Sequence, residues 1–164
     1  MSSTGNELDQ YNKFVELIDL KSIELGSLTC EQNSEFPHGG TPLDIAIDYD
    51  VKNAKQQGLE ITFPFEFKCK AFYNRNDGET KIDLIPLKDT LFSIKFTFII
   101  KYHLDLGEEM KSSDVLKDYE GIIEEFSEKV VIINTWPYVR ELVSNLTGKM
   151  GIPPLMIPLK KAYQ

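Results

Sequence analysis

Residues 59–73 read Leu59-Glu-Ile-Thr-Phe-Pro-Phe-Glu-Phe-Lys-Cys-Lys-Ala-Phe-Tyr73. Leu59, Ile61, Phe63, Phe65, Phe67, Cys69, Ala71 and Tyr73 share one face. Glu60, Thr62, Glu66, Lys68 and Lys70 share the other. Side chains alternate across a strand, so this stretch predicts a long strand with one covered and one wet face. The pattern recurs on both sides. Leu43, Ile45, Ile47, Tyr49 and Val51 alternate with Asp44, Asp48, Asp50 and Lys52. Phe92, Ile94, Phe96, Phe98, Ile100 and Tyr102 alternate with Ser93, Lys95, Thr97 and Lys101. Strands of this kind belong to an antiparallel sheet rather than a fully buried parallel one.

Upstream, residues 21–32 read as a further strand whose phase slips. Ile23 and Leu25 hold one phase, Leu28 and Cys30 the other, and Gly26-Ser27 between them predicts a bulge. Leu8, Tyr11, Val15 and Ile18 suit a short amphipathic helix, with a strand entry near Leu17 as the alternative, after a polar stretch, 1–7, expected to be loose. Pro37-His-Gly-Gly-Thr-Pro42 is a loop, Asn76-Asp77-Gly78 a turn, and 82–87 a short strand or broken hairpin.

Downstream the period changes to three and four. Ser112-Ser113-Asp114 offers capping side chains. Val115, Tyr119, Ile122, Ile123, Phe126, Val130 and Ile133 then mark a helix face. Pro137 interrupts it, as the first turn of a new helix or as a kink. Val139, Leu142, Val143 and Leu146 continue the apolar face until Gly151 and Pro153-Pro154 stop it. Strands first and helices last give an α+β fold: a four-stranded antiparallel sheet with C-terminal helices on one face. Residues 1–164 make a single domain, with 159–164 a short tail.

Composition narrows the function. Lys and Arg number 18 against 26 Asp and Glu, and the net charge of −8 argues against nucleic acid as a partner. No run is long and apolar enough for membrane insertion, and the N-terminus carries no signal-peptide pattern. The two cysteines, Cys30 and Cys69, read as reduced thiols of a cytoplasmic protein. They and the two histidines, His38 and His103, lie far apart, so no metal site, cofactor or catalytic residue is expected. The Phe-rich sheet faces exceed what the helices can cover, at roughly 150–250 Å² per ring. The surplus is core, oligomer interface or binding groove.

The segment Asn134-Thr-Trp-Pro-Tyr-Val-Arg-Glu at the helix, followed by Gly151-Ile-Pro-Pro-Leu-Met-Ile-Pro158, closely resembles the signature of the SecB family of export chaperones. Trp136, Pro137, Tyr138, Arg140 and Glu141 match its first part. Gly151, Pro153, Pro154, Leu155, Met156, Ile157 and Pro158 match its second. The likeness extends from about residue 15 to 159. It implies a dimer of dimers, a homotetramer that holds non-native polypeptides in apolar grooves, with no ATP and no reaction catalysed. Tyr138, Arg140 and Glu141 would be structural. The groove would use Phe65, Phe67, Phe96, Phe98 and Trp136, with Phe36 and the loop 37–42 beside them.

Two departures matter. The family usually carries a further helix after the final proline, where only Leu159-Lys-Lys-Ala-Tyr-Gln164 follows here. The family also docks on the export motor through acids of the wet sheet face, and one such position falls at Lys95. That favours a dedicated client, such as the antitoxin of a toxin–antitoxin–chaperone system, over general export. The alternative reading is a module that encloses an apolar small molecule behind the Phe-rich face.

Overall fold

The alternating segments form one antiparallel sheet in the computed structural model, which describes residues 3–36, 42–74, 78, 80–108 and 114–160. Strands β1 (Ile18–Gln32), β2 (Asp44–Val51), β4 (Glu60–Phe72) and β5 (Thr90–Leu104) lie in the order β1-β5-β4-β2. A fifth strand, β3 (Lys55–Gln57), pairs with β4 beyond the end of β2. It was not expected, because Lys55-Gln56-Gln57 carries no apolar alternation. The break between β2 and β3 has a cause in β4. The Pro64 carbonyl accepts from the Lys52 N–H at 2.8 Å, so the proline's missing donor faces the same side. A neighbouring strand cannot run past it fully bonded.

The expected bulge is present: the register of β1 against β5 shifts between Leu25 and Ser27, and again between Leu20 and Ser22. Gly26 is needed there for space. A β-carbon on it would meet the Ile99 side chain at 3.0 Å and the Thr97 carbonyl oxygen at 3.4 Å. Residues 82–87 are not a strand. Two 3-10 turns, Ile82–Leu84 and Leu87–Asp89, fold over the outer face, where Phe72, Ile82 and Ile85 make a second small core.

Helix α1 (Ser3–Leu17) begins inside the stretch expected to be loose. Its buried residue is Phe14, packed edge-on to Phe126 at 5.3 Å, whereas Leu8 and Val15 of the expected stripe are exposed. The C-terminal helical layer is α2 (Val115–Asp118), α3 (Glu120–Phe126), a π-helical turn at Ser127–Val131, and α4 (Ile132–Lys149). Asp114 caps α2 by accepting from the Lys117 N–H at 3.3 Å. Pro137 neither starts nor ends a helix; it lies within α4. Its missing N–H leaves the Ile133 carbonyl without the usual helical donor, and the helix runs on through it. A Gly151 with φ of 75° ends α4. Its N–H donates to Gly148 and the Ile152 N–H to Thr147, the paired bonds of a Schellman stop. The loop 37–41, the turn residues Asn76 and Asp77, the capping serines 112–113 and the tail 161–164 lie outside the described residues.

Candidate functional site

The five strand and helix aromatics singled out from the sequence come together, but as packed core. Phe65, Phe67, Phe96, Phe98 and Trp136 are each at most 6% exposed. Phe67 lies directly opposite Phe96 and Phe65 opposite Phe98 in the β4–β5 ladder. The Phe67 and Phe96 rings stack at 4.8 Å, and Trp136 meets Tyr49 edge-on at 5.1 Å. Within one protomer α4 and the segment after it lie over this layer, so these rings do not line an open groove. Phe36, expected to be an accessible loop aromatic, is also buried, at 6% exposure in the main core.

An open groove exists elsewhere. A cleft of about 480 Å³ runs between β2 with the β2–β3 link and the α2–α3 layer. Its half-buried apolar lining is Tyr49, Val51, Ala54 and Ile132, set over the buried Phe63 and Ile123. Its rim is acidic, with Asp50, Glu120, Glu124 and Glu128 against Lys52. The Lys52 ammonium is already paired with Asp50 at 2.7 Å and Glu66 at 3.5 Å. β2 is an end strand of the sheet, and among the described residues no strand pairs with its outer edge. Such an edge offers backbone donors and acceptors to an extended chain. From sequence these residues read as a strand face and a helix face. Only their meeting across the sheet edge makes a groove.

A strap, residues 152–160, leaves α4 and runs back along it. The Leu155 N–H donates to Thr147 Oγ1 at 2.9 Å, the Arg140 Nε to the Ile157 carbonyl at 2.7 Å, and the Trp136 Nε1 to the Pro158 carbonyl at 2.7 Å. Ile157 is buried, while Met156 and Leu159 are exposed. Beyond Pro158, the Lys160 ammonium donates to the Tyr49 hydroxyl and lies over the Tyr49 and Trp136 rings. Tyr138 is half exposed, edge-on to Phe98 at 6.4 Å, and Glu141 is exposed.

The other end of the sheet is uncovered. Leu20, Leu25 and Leu28 of β1 pair with Tyr102, Phe98 and Phe96, which face the core. They nevertheless remain 41–48% exposed. On the wet face Lys95 is exposed and stands directly opposite Lys68. Lys68 turns to Asp83 at 3.0 Å, and that hydrogen bond and charge hold the Asp83 carboxyl below its ordinary value. Lys101 pairs with Glu24 at 3.0 Å.

Nucleophile chemistry finds little support in the electrostatics. Burial pushes the Cys69 thiol up to about 12 and also raises the Cys30 thiol and the Tyr102 phenol. Low-pKa thiolates are the reactive ones. Among the described residues no group of three or more His, Cys, Asp or Glu is placed to hold a metal ion, and no helix is long and apolar enough to cross a membrane.

With that geometry in place, the chain is similar in sequence to SecB-like chaperones and shares their fold. It is 29% identical to the SecB-like chaperone MT2006 of Mycobacterium tuberculosis over 115 residues, 70% of this chain and 59% of that one. It is 24% identical to the SecB-like chaperone SmegB of Mycolicibacterium smegmatis over 127 residues, 77% of this chain and 71% of that one. The SecB-like chaperone Rv1957 of Mycobacterium tuberculosis is 29% identical over 83 residues, 51% of this chain and 41% of that one. The chain thus spans less than two thirds of the length of MT2006 and Rv1957. No protein-family model matches. The solved structure of Rv1957, in complex with a ChAD peptide from the HigA1 antitoxin, superposes with a TM-score of 0.71. That match covers 94% of this chain and 99% of the other at 11% identity.

Proposed function

We propose that this chain is an ATP-independent holdase that binds non-native polypeptide along the β2 edge and catalyses no reaction. The observation that carries the reading is the open, apolar-floored groove beside an unpaired strand edge, in a fold shared with SecB-like chaperones. An extended client can add its backbone to β2 and lay alternate side chains beside Tyr49 and Val51. Binding only the unfolded form withholds it from aggregation by mass action, and no energy source is required. The −8 charge keeps loaded particles apart.

The client is a dedicated one, such as an antitoxin, in the cytoplasm. Support comes from the Rv1957 complex with an antitoxin peptide and from Lys95 and Lys68 on the wet face, where motor docking would call for acids. The assembly is a homotetramer near 75 kDa, four times 18.8 kDa. The uncovered leucines and free edge of β1 support self-association, since contiguous apolar strand edges are normally covered. Aggregation of a thermally unfolding protein, followed by light scattering without nucleotide, tests the function. Suppression near a 1:1 molar ratio of tetramer to client is expected. Unchanged scattering at a tenfold excess of chaperone overturns it.

A further inference from the structure

We infer that Lys160 is a latch: it fills an aromatic notch at the end of the groove, and a client must displace it to bind. The inference rests on the holdase reading above and adds a competing segment of the chain itself. The strap is firmly held only as far as Pro158. Ile157 is buried, and the Ile157 and Pro158 carbonyls are bonded to Arg140 and Trp136. Leu159 is then 72% exposed and anchors nothing. Lys160 nevertheless returns to the protein. Its ammonium donates to the Tyr49 hydroxyl and sits 4.5 Å from the Tyr49 ring centroid and 5.1 Å from that of Trp136. Two aromatic faces within about 6 Å of one cation form a favourable cation–π site.

Tyr49 belongs to both features: it lines the groove and it holds the latch. Neither Lys160 nor Trp136 lines the cleft itself, so the competition is for Tyr49: a client side chain laid on its ring displaces the ammonium. The rest of the closed state is also poised to exchange. One cation on an exposed segment opens easily, because no buried side chain among the described residues beyond Pro158 moves with it. The latch therefore lowers the affinity of every client by the same factor, set by the fraction of time it is open.

The chain has a single tryptophan, Trp136, so its intrinsic fluorescence reports the notch directly. The experiment compares wild type, Lys160→Met and Lys160→Arg, using as probe a dye-labelled, reduced and alkylated polypeptide that lacks tryptophan. Circular dichroism first establishes that all three fold alike. Lys160→Met is expected to bind the probe about three- to tenfold more tightly than wild type, from the loss of a partly exposed cation–π contact. Lys160→Arg, which keeps the cation, stays at the wild-type value. Trp136 emission changes when the probe binds wild type, and part of that change is already present in Lys160→Met alone. Equal or weaker binding by Lys160→Met overturns the latch while leaving the holdase reading intact. Failure of every variant to bind the probe overturns the holdase reading and the latch with it.

Discussion

Replacing Arg140 with alanine should destabilise the fold without abolishing client binding. The guanidinium Nε donates to the Ile157 carbonyl at 2.7 Å, tying the middle of α4 to the strap. A hydrogen bond involving a charged group contributes about 1.5–3 kcal/mol, and a half-buried one falls near the lower end. The strap keeps its bonds from Trp136 and to Thr147, so Ile157 stays in place and its burial is not lost as well. The expected cost is about 1.5–2 kcal/mol. For a domain of this size that lowers Tm by about 3–8 °C. Trp136→Phe removes the neighbouring bond to Pro158 and keeps most of the ring packing. In the double variant the strap has lost both of these ties and keeps the Leu155–Thr147 bond, and the cost should exceed the sum of the single ones by at least about 0.5 kcal/mol. Thermal melts followed by circular dichroism read all three, with a parallel titration against an unfolded probe. An Arg140→Ala protein that melts as wild type does but no longer binds the probe refutes the argument and makes Arg140 a contact residue.

Gly151→Ala forces a side chain into a backbone with φ of 75° and should cost about 1–2 kcal/mol, read as a lower urea midpoint with unchanged slope. In the folded protein only Cys30 should react with a thiol reagent at pH 8, and both cysteines should react in denaturant. Cys69, held up to about 12 by burial, keeps its proton when folded and loses it when unfolded. Its contribution is therefore complete below about pH 9 and falls away as pH rises from there towards 12, which a Cys69→Ala control should flatten. Leu25→Glu and Leu28→Glu, on the uncovered shelf of β1, should shift the mass by light scattering from tetramer towards smaller species while leaving the melting transition cooperative.

The sheet was legible because its signal is local and redundant. β4 from Ile61 to Ala71 and β5 from Phe92 to Leu104 repeat period two, and a one-residue slip would turn Phe63, Phe65, Phe67, Phe96 and Phe98 outward. The bulge at Gly26 was legible because the phase change is visible without knowing the partner strand. β3 was not, since three polar residues acquire strand geometry only by pairing with β4. The face of α1 was misjudged because Leu8, Tyr11 and Val15 fit helical spacing as well as the true anchor, Phe14, does. Pro137 read as an interruption, yet α4 runs through it from Ile132 to Lys149. The aromatics named for the groove pack against one another as core, and their spacing in the sequence does not show what lies on top. Burial of Phe67 or Phe96 depends on α4 and the strap returning over them, which is a tertiary fact. Phe36 was misread on the general tendency of loop residues to be exposed. The cleft itself joins Val51 to Ile123 and Glu124, which are far apart in sequence and carry no shared motif.

Hydrogen exchange of the assembled protein, with and without a permanently unfolded polypeptide, tests the groove assignment most directly. Client bound along the β2 edge should slow exchange of amides in residues 44–54 and in 116–132, the two walls of the cleft, and leave β1 unchanged. Saturating client that leaves those two segments at their free rates, while protecting β1 or the 82–89 turns instead, contradicts it.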